Sequence, residues 1–346
     1  MKRILVINVN WVGDVIFSTP VFRALKSAYP DAKITCLGVP RVKDVLMMCP
    51  DVDHVIVYDE KGRHWTPWGK LGLVLQLKRE KFDAAFILHR SFTRAFLPYL
   101  AGIPVRVGYD TKGRGGLLTQ TFAPPMEAVH KSDYYQGVVE GAGIKVSDNR
   151  CTLSPDEQSI TETESLLSQR GISAKDDFII VNTGGNWDLK RWPAENFSRL
   201  ITELTDEFPF KIVVSGAAKD AGRVDDIIRS SGREVVNLAG STSLKHLAAL
   251  MKRARLVISS DSGPMHVASA VGTDVIGIFG PTRSELTGPR GTGRISLLQH
   301  DVGCNRDSCY FLDCPDNVCM KSVSVEEVIR SARILLTDVL TRKANE

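Results

Sequence analysis

The sequence of 346 residues has no run of about 18 apolar residues, the length with which a helix crosses a bilayer. Its first apolar run ends at Asn8, and no small-residue cleavage site follows that run. We therefore expect a first core strand there instead of a signal peptide. Both absences predict a cytoplasmic protein without a membrane span.

A strong charge excess is also missing. The chain has 44 Lys and Arg residues against 40 Asp and Glu residues, which gives a net charge of +4. This excess is too small to indicate a nucleic-acid partner, but it is compatible with an anionic small molecule or an anionic membrane surface. With 43% hydrophobic residues the chain can build a large core, and its length suits two domains.

The cysteines lack the spacing of common structural sites. There are seven, an odd number that argues against a disulfide framework, and no two of them form a CxxC pair. Four occur at intervals of five residues, at Cys304, Cys309, Cys314 and Cys319. These thiols could bind zinc or an iron–sulfur cluster, pair under oxidation, or lie in a tight surface loop. We predict no bound metal and keep the four thiols as a candidate site.

Apolar segments alternate with segments of helical periodicity along the whole chain. The candidate strands are Ile4–Val9, Lys33–Leu37, His54–Tyr58, Ala84–Leu88, Val105–Val107, Phe178–Asn182, Lys211–Ser215, Glu234–Leu238, Leu256–Ser259, Val275–Phe279 and Ile295–Leu298. The candidate helices include Pro20–Ala28, Lys70–Arg79, Glu157–Gln169, Ala194–Phe208, Leu244–Lys252 and Val325–Arg342, and a further helix could start at Pro264. This alternation predicts an α/β protein whose parallel sheets are covered by helices on both faces.

The alternation pauses at Val146–Asp156, where polar residues and a proline are typical of a linker. We therefore expect two domains, residues 1–150 and 151–346, each a doubly wound parallel sheet, facing a common cleft. In such sheets ligands bind outside the carboxyl ends of the strands, so the loops that follow strands are the places to look for chemistry.

The loop after the first strand contains no Gly-x-Gly-x-x-Gly fingerprint, which disfavours a dinucleotide site. In this loop Ser18–Pro20 is typical of a helix start, although Pro20 could instead kink a helix that begins at Asp14. Asp14 is either a cap or turn residue, or a general base that takes a proton from a substrate hydroxyl.

The loop Thr183–Pro193, TGGNWDLKRWP, is not a P-loop, because Lys190 is neither preceded by Gly nor followed by Ser or Thr. Its glycines let the backbone approach a ligand closely. Lys190 could neutralise a diphosphate as a point charge, and Arg191 could bind it through two hydrogen bonds. The alternative is an ordinary loop with solvated cations.

Two further loops carry candidate binding residues. In SGAAKD, Asp220 could hold a ribose by its hydroxyls, or it could simply lie at the positive end of a helix. In DSGPMH, a strand, a turn and a helix N-terminus predict an anion site. Asp261 and His266 flank that site, although a histidine on a helix can also be a packed core residue.

A run of basic residues between His89 and Gly116 follows predicted strand ends and glycine-rich loops. Within it, Arg90, Arg94 and Arg114 are our candidates for binding an acidic acceptor, such as a phosphorylated or carboxylated sugar. The alternative is a solvated basic face.

Taken in order, these segments resemble the lipopolysaccharide heptosyltransferase family, glycosyltransferase family 9, and within it the heptosyltransferase II branch. The matching segments are RILVINVNWVGDVIFSTPVFRALK, VNTGGNWDLKRWPAENF, SGAAKD, SSDSGPMHVASAVGTDVIGIFGPT and the four-cysteine segment before the terminal helix. They span nearly the whole chain.

The resemblance implies a GT-B fold, with an N-terminal acceptor-binding domain and a C-terminal domain that binds the nucleotide-sugar donor. The terminal helix is then a candidate to pack back on the N-terminal domain. The implied activity is transfer of L-glycero-D-manno-heptose from ADP-heptose to the lipid A–Kdo/heptose inner core of lipopolysaccharide, with inversion at the anomeric carbon. No cofactor and no nucleic acid are implied, and peripheral contact with the inner membrane is compatible with this activity.

The resemblance also assigns roles to single positions. Asp14 would activate the acceptor hydroxyl, Lys190 would contact the diphosphate, and the backbone of Gly263 would contact a phosphate. The other implied donor-binding residues are Gly185, Asn186, Asp220, Asp261, Ser262 and His266, with Asp220 as the ribose-binding acid. At Gly185 and Asn186 the chain departs from members that carry Thr hydroxyls for phosphate, so backbone N–H groups or the Asn186 amide would substitute.

Two other classes of function stay open. The chain could be another nucleotide-sugar transferase or a non-hydrolysing epimerase of the same fold, or a nucleotide-sugar-binding protein without catalytic activity. An NAD-dependent oxidoreductase is disfavoured because the fingerprint glycines are missing.

Overall fold

The computed structural model describes residues 1–185, 187–304, 309 and 314–344, with side chains through Thr337. The chain divides into two compact units, Met1–Leu153 and Ser154–Glu346. This boundary falls inside the polar segment Val146–Asp156 in which the sequence predicts a linker. Each unit contains a six-stranded sheet.

The first unit holds a parallel sheet with the strand order β3-β2-β1-β4-β5-β6. Its strands are β1 Arg3–Ile7, β2 Lys33–Gly38, β3 His54–Val57, β4 Ala84–Ile87, β5 Val105–Tyr109 and β6 Gln120–Phe122. Its α-helices are α1 Val12–Phe17, α2 Thr19–Ala28, α3 Lys43–Met47, α4 Pro67–Arg79, α5 Phe92–Leu100 and α6 Lys131–Gly141.

The second unit holds a parallel sheet with the strand order β12-β11-β10-β7-β8-β9. Its strands are β7 Phe178–Asn182, β8 Lys211–Ser215, β9 Val236–Asn237, β10 Leu256–Ser260, β11 Asp274–Ile278 and β12 Ile295–Leu298. Its α-helices are α7 Glu157–Gln169, α8 Ala194–Glu207, α9 Ala221–Ser231, α10 Leu244–Arg253, α11 Gly263–Ala270, α12 Ser284–Thr287, α13 Val318–Lys321 and α14 Val325–Ala344.

Both sheets follow the same doubly wound plan. Counted within each unit, the strand order is 3-2-1-4-5-6, which reverses direction between the first and fourth strands. Ligands of such sheets bind at this switch point, outside the carboxyl ends of the strands. The switch points are therefore the ends of β1 and β4 in the first unit and of β7 and β10 in the second. The predicted α/β class with two Rossmann-like sheets is confirmed.

The strands are almost continuously apolar because helices cover both faces of each sheet. In β1, for example, Ile4 to Ile7 are fully buried. The terminal helix α14 adds Val325, Val328, Ile329 and Ala332 to the core of the second unit, where it packs on α8 and on β10 to β12. This spacing gives the helix one apolar stripe, which faces its own sheet.

Short or polar elements were not predicted from the sequence. β6 is a three-residue strand, Gln-Thr-Phe, at the edge of its sheet, and β-propensity patterns do not mark such a segment. α5 contains Pro98, which argues against a helix interior in sequence-based reasoning. Among the described residues, no helix is both long enough and apolar enough to span a bilayer.

Candidate active site

The residue that follows β1, Asn8, has a buried side-chain amide. Asn8 is fully buried and donates from Nδ2 to Ser18 Oγ at 2.9 Å. Two helices follow: α1 carries the half-buried Asp14 in its first turn, and α2 begins at Thr19 with Pro20 in its first turn. Both sequence alternatives thus hold in part, since a helical turn surrounds Asp14 and a second helix starts at the Ser-Thr-Pro segment.

Asp14 is held from a distant helix. The hydroxyl of Tyr135, on α6, donates to Asp14 Oδ1 at 2.9 Å, and Ser132 Oγ on the same helix donates to the carbonyl of Phe17 at 2.9 Å. Burial, together with the negative charge of Asp14 and this hydrogen bond, raises the pKa of Tyr135 far above its usual value. The phenol therefore stays protonated as a donor. It orients the carboxylate through one oxygen, Oδ1.

Two of the three predicted acceptor-binding arginines are buried. Arg94 is 2% exposed and donates from Nη2 to Glu60 Oε2 at 3.0 Å and to Asn10 Oδ1 at 3.2 Å. Arg114 is 1% exposed and donates to the carbonyl oxygens of Tyr109, at 2.9 Å, and of His89. Burial lowers the pKa of both guanidinium groups. Both fasten loops at the carboxyl end of the first sheet.

Arg90 is the exposed member of the three. Its guanidinium stacks over the ring of Tyr134 at 4.7 Å, and its Nε donates to the Tyr134 hydroxyl at 2.8 Å. Tyr134 precedes Tyr135, so one turn of α6 contacts both Arg90 and Asp14. The structure thereby brings Arg90 to the same edge as the predicted base.

The pKa of His89 is affected by burial and by the charges at this edge. Burial lowers its pKa to about 4, and the charges of Arg94, Arg114 and Lys112 act in the same direction. Its Nδ1 accepts a hydrogen bond from the Ser91 N–H at 3.0 Å, as a neutral ring can. Three positive charges therefore act on His89, and two of them belong to the internal arginines.

In the second unit, Asp261 follows β10 at the switch point and is 6% exposed. Its Oδ2 accepts from Lys190 Nζ at 2.6 Å and from Thr282 Oγ1 at 2.5 Å, and His266 Nε2 lies 3.7 Å from Oδ1. Burial alone would raise the pKa of Asp261, but the His266 hydrogen bond and the charges of Lys190 and His266 outweigh it. The net pKa is lowered to about 2. Asp261 is therefore a permanent anion that positions Lys190.

A helix N-terminus lies at the same place. α11 begins at Gly263, with Ser262 as its N-cap and Pro264 in its first turn. Asn182, buried at the end of β7, donates from Nδ2 to Ser259 Oγ at 3.0 Å and to Ser262 Oγ at 3.4 Å. These small polar groups join the ends of β7 and β10. The first N–H groups of α11 lie at this junction, and such groups bind anions.

Asp220 is 7% exposed and pairs with Arg191, whose Nη2 donates to Oδ1 at 2.8 Å. Its other oxygen, Oδ2, is buried without a hydrogen-bond partner among the described residues. Arg191 also donates to the carbonyl of Gly185 at 2.8 Å and lies 3.0 Å from Asp188 Oδ1. Arg191 therefore stabilises its own loop instead of projecting freely, and Asp220 contributes one carboxylate oxygen to this pairing.

The loops after β7 and β8 run side by side. A Cβ placed on Gly184 would lie 3.5 Å from the Cα of Gly216, an ordinary van der Waals distance, so the packing of these two loops does not itself require a glycine at this position. The predicted donor-binding residue Asn186 lies outside the described residues.

Cys304, Cys309, Cys314 and Cys319 line one cavity of about 620 Å³, which Pro281 and Thr282 also line. The N–H of Cys309 donates to the carbonyl of Pro281 at 2.7 Å, and the next residue, Thr282, contacts Asp261. All four thiols are free of disulfides. Within the described part of the chain, no three His, Cys, Asp or Glu side chains are grouped as a metal site.

Comparisons with known proteins identify the family. The model of glycosyltransferase family 9 (heptosyltransferase) matches residues 71–309, more than half of the chain. The chain belongs to glycosyltransferase family 9. The lipopolysaccharide heptosyltransferase 2 of Escherichia coli K12 is 29% identical to this family 9 chain over 297 residues, which cover 83% of this chain and 85% of that protein.

Solved structures agree with this assignment. A family 9 glycosyl transferase from Veillonella parvula has a TM-score of 0.84 and 26% identity, and the match covers 97% of both chains. The structure of E. coli ADP-heptose LPS heptosyltransferase II has a TM-score of 0.80 and 25% identity over 98% of this chain and 99% of that one. The predicted family and the GT-B fold are thereby confirmed.

Sequence reasoning missed several site residues of this family 9 chain. Tyr135, Thr282 and Asn182 contact predicted residues, but no motif singles them out. The only signal for Tyr135 was its position in the YY pair of α6, which could not be linked to Asp14 because 121 residues separate the two.

Proposed function

We propose that this family 9 chain is an inverting heptosyltransferase that transfers L-glycero-D-manno-heptose from ADP-heptose to the inner core of lipopolysaccharide. The observation that carries the proposal is the buried Asp261–Lys190 pair beside the N-terminus of α11, at the switch point of the second sheet. It stands in a chain that aligns over most of its length with heptosyltransferases of the second type.

The second unit would bind the donor. Departure of ADP builds negative charge on the diphosphate, and Lys190 and the N–H groups at Gly263 are positive groups that can stabilise it. Since Asp261 already holds Lys190 in place, little reorganisation accompanies the reaction. Asp220 would accept hydrogen bonds from the ribose hydroxyls, the role that the family resemblance implies for it. Ser262 and His266 would complete the donor site, together with Gly185 and Asn186.

The first unit would bind the acceptor. Asp14 is the proposed general base, which removes the proton of the acceptor hydroxyl as that oxygen attacks the anomeric carbon. Tyr135 orients it. Arg90 would contact an acidic group of the acceptor, with Arg94 and Arg114 holding the loops from which Arg90 and His89 project. Because cationic protein groups neutralise the leaving diphosphate, the proposed mechanism uses no metal.

The acceptor of this reaction is anchored by lipid A in a membrane. We therefore place the enzyme in the cytoplasm, in peripheral contact with the inner membrane through protein surfaces.

The first experiment is calorimetric binding of ADP, GDP and UDP to the purified protein in the presence of a chelator. We expect ADP to bind selectively, because adenosine diphosphate is the leaving group of the proposed donor. Preference for UDP or GDP would keep the transferase class and overturn the heptose donor. Failure of all three to bind would overturn the proposal.

The second experiment separates a transferase from the alternatives. With ADP-heptose and a heptose-deficient lipopolysaccharide, we expect ADP release that depends on the acceptor. Donor epimerisation without transfer would indicate an epimerase, and binding without turnover against a full set of acceptors would indicate a binding protein.

A further inference from the structure

The outer surface of α4 is unusually apolar for a helix at the protein surface. Leu73, Val74 and Leu77 point into the core of the first unit. On the opposite side, Trp68 is 79% exposed, and Leu71 and Leu75 are 46% and 45% exposed. These three lie at positions i, i+3 and i+7 and therefore form one stripe. Trp65, 70% exposed, extends this stripe before the helix begins.

A second stripe lies on α5. Phe92, Phe96, Tyr99 and Leu100 are between 37% and 48% exposed and lie on one side of the helix. The rings of the first three stack along the helix at centroid distances of 6.0 and 6.2 Å. α5 packs beside α4, and both helices bury their inner sides in the same core cluster on the same face of the sheet. The two stripes together form one surface, which we call the aromatic face.

The segment of the sequence that carries the aromatic face is rich in basic residues. Residues 61–109 contain nine Lys and Arg but only two Asp and Glu, a net charge of +7. The whole chain has a net charge of +4, so the remainder is acidic. Within the part of the chain that the structure describes, Lys70, Lys78 and Arg79 form no ion pair with a carboxylate. Their charges remain available to an external partner.

We propose that the aromatic face is the surface by which the protein docks on an anionic lipid bilayer. Trp and Tyr side chains favour the boundary between water and lipid, where an apolar ring and a polar atom are both accommodated. Each nearby Lys or Arg adds attraction to anionic headgroups. A second copy of the chain is a poor occupant, because a twofold contact would bring Lys70, Lys78 and Arg79 of both copies into one interface.

The aromatic face lies near the proposed base, and the relation between docking and catalysis rests on the proposed function. α5 begins with Phe92, two residues after Arg90, which stacks on Tyr134 beside the Tyr135–Asp14 pair. The aromatic face thus starts at the edge of the first sheet that carries the proposed base. A bilayer bound there would present its lipid-anchored sugar close to Asp14.

The test is flotation of the full-length protein with vesicles of equal parts phosphatidylglycerol and phosphatidylcholine, compared with phosphatidylcholine alone. We expect binding to the anionic vesicles that decreases with salt. The variant Lys70→Gln/Lys78→Gln/Arg79→Gln should lower this partitioning about 100-fold, at roughly fivefold per charge. The control variant Lys175→Gln/Arg229→Gln/Lys252→Gln removes the same charge from exposed positions of the second unit and should bind like the wild type.

Insertion of the apolar groups is tested separately. Trp68→Ser/Leu71→Ser/Leu75→Ser should lower partitioning at least about 10-fold, since it removes the apolar surface that would enter the interface. Ile334→Ser, at a 65% exposed position of α14, is the matched control. Brominated lipids should quench tryptophan fluorescence in the wild type, and Trp65→Phe/Trp68→Phe should abolish that quenching.

Equal binding to both vesicle types, or equal loss in the test and control variants, would overturn the docking surface. So would a dimer in sedimentation analysis that Trp68→Ser/Leu71→Ser/Leu75→Ser dissociates, because the face would then bind a second copy. ADP binding is measured on the same preparations. Vesicle binding without ADP binding would keep the surface and reject the proposed function, and the reverse result would do the opposite.

Discussion

The two switch points use charge in different ways, although they are built on the same strand order. In the first unit, two arginines form contacts within the protein. Arg94 binds Glu60 and Asn10, and Arg114 binds two carbonyl oxygens. In the second unit, acid and base are paired within the site, as Lys190 with Asp261 and Arg191 with Asp220. The first arrangement leaves a carboxylate and an exposed arginine. The second leaves cationic donors beside a helix N-terminus, which suits a diphosphate.

If the two units divide base and donor binding in this way, Asp14→Asn should have the largest effect. Transfer should fall by about 10³-fold, because an amide cannot take up the proton of the acceptor hydroxyl. ADP affinity should stay at the wild-type level, since the proposed donor groups belong to the second unit. Steady-state turnover and calorimetry measure the two quantities.

Asp44→Asn is the control for Asp14→Asn, because it changes an acid in the first turn of another short helix of the same unit. A variant Asp14→Asn that transfers heptose at more than a tenth of the wild-type rate would reject the role of the base.

Lys190→Gln should have the next largest effect, and it should act on both binding and catalysis. We expect kcat/KM for the donor to fall by about 10²-fold, because one positive group opposite the developing charge is lost. Calorimetric affinity for ADP should fall as well, in contrast to Asp14→Asn. Lys175→Gln removes a charge at an exposed position and should change neither. Unchanged ADP affinity in Lys190→Gln would place the diphosphate elsewhere.

Tyr135→Phe tests the support of the base. The hydrogen bond to Asp14 has a charged acceptor, and its loss should lower kcat by about 10-fold with little change in KM. Tyr109→Phe, a buried tyrosine of the same unit, is the control. A proportional rise of KM with unchanged kcat would indicate that Tyr135 binds substrate instead of orienting Asp14.

The smallest effect concerns His89 and is measured by NMR titration. Its pKa of about 4 should rise in Lys112→Gln, because one of the neighbouring positive charges is removed. Lys43→Gln should leave it unchanged. Since the unfolded chain binds more protons than the folded chain between pH 6.5 and 4, the contribution of His89 to stability should decrease as the pH falls through that window.

Most of the fold could be predicted from local sequence, because each long strand is a run of apolar residues that ends near a glycine or a polar residue. Every predicted strand overlaps a strand of the structure, although boundaries shift by one or two residues. The elements that escaped prediction depend on tertiary contacts. β6 is stabilised by pairing with β5, and α6 is fastened by Ser132 and Tyr135 to α1, far away in sequence.

The predicted site residues differ in how far sequence could describe them. Lys190 and Asp261 lie in recognisable loops, but their contact at 2.6 Å joins residues 71 positions apart and is fixed only by the sheet. The basic run predicted three similar arginines, whereas burial separates them into one exposed and two internal groups. Charge patterns locate a basic segment but do not show which of its side chains are buried and bound to other groups of the protein.

The distribution of cysteines makes the native enzyme selectively open to chemical labelling. Cys36, Cys49 and Cys151 are buried in the first unit, and burial raises the pKa of Cys36 and Cys49. The remaining four border the cavity beside Thr282 in the second unit. Because thiol reagents attack accessible thiolates, a maleimide dye should attach only to the second unit. The wild-type chain thus offers an attachment point for a fluorescent reporter at Cys309, whose backbone contacts Pro281, the neighbour of Thr282.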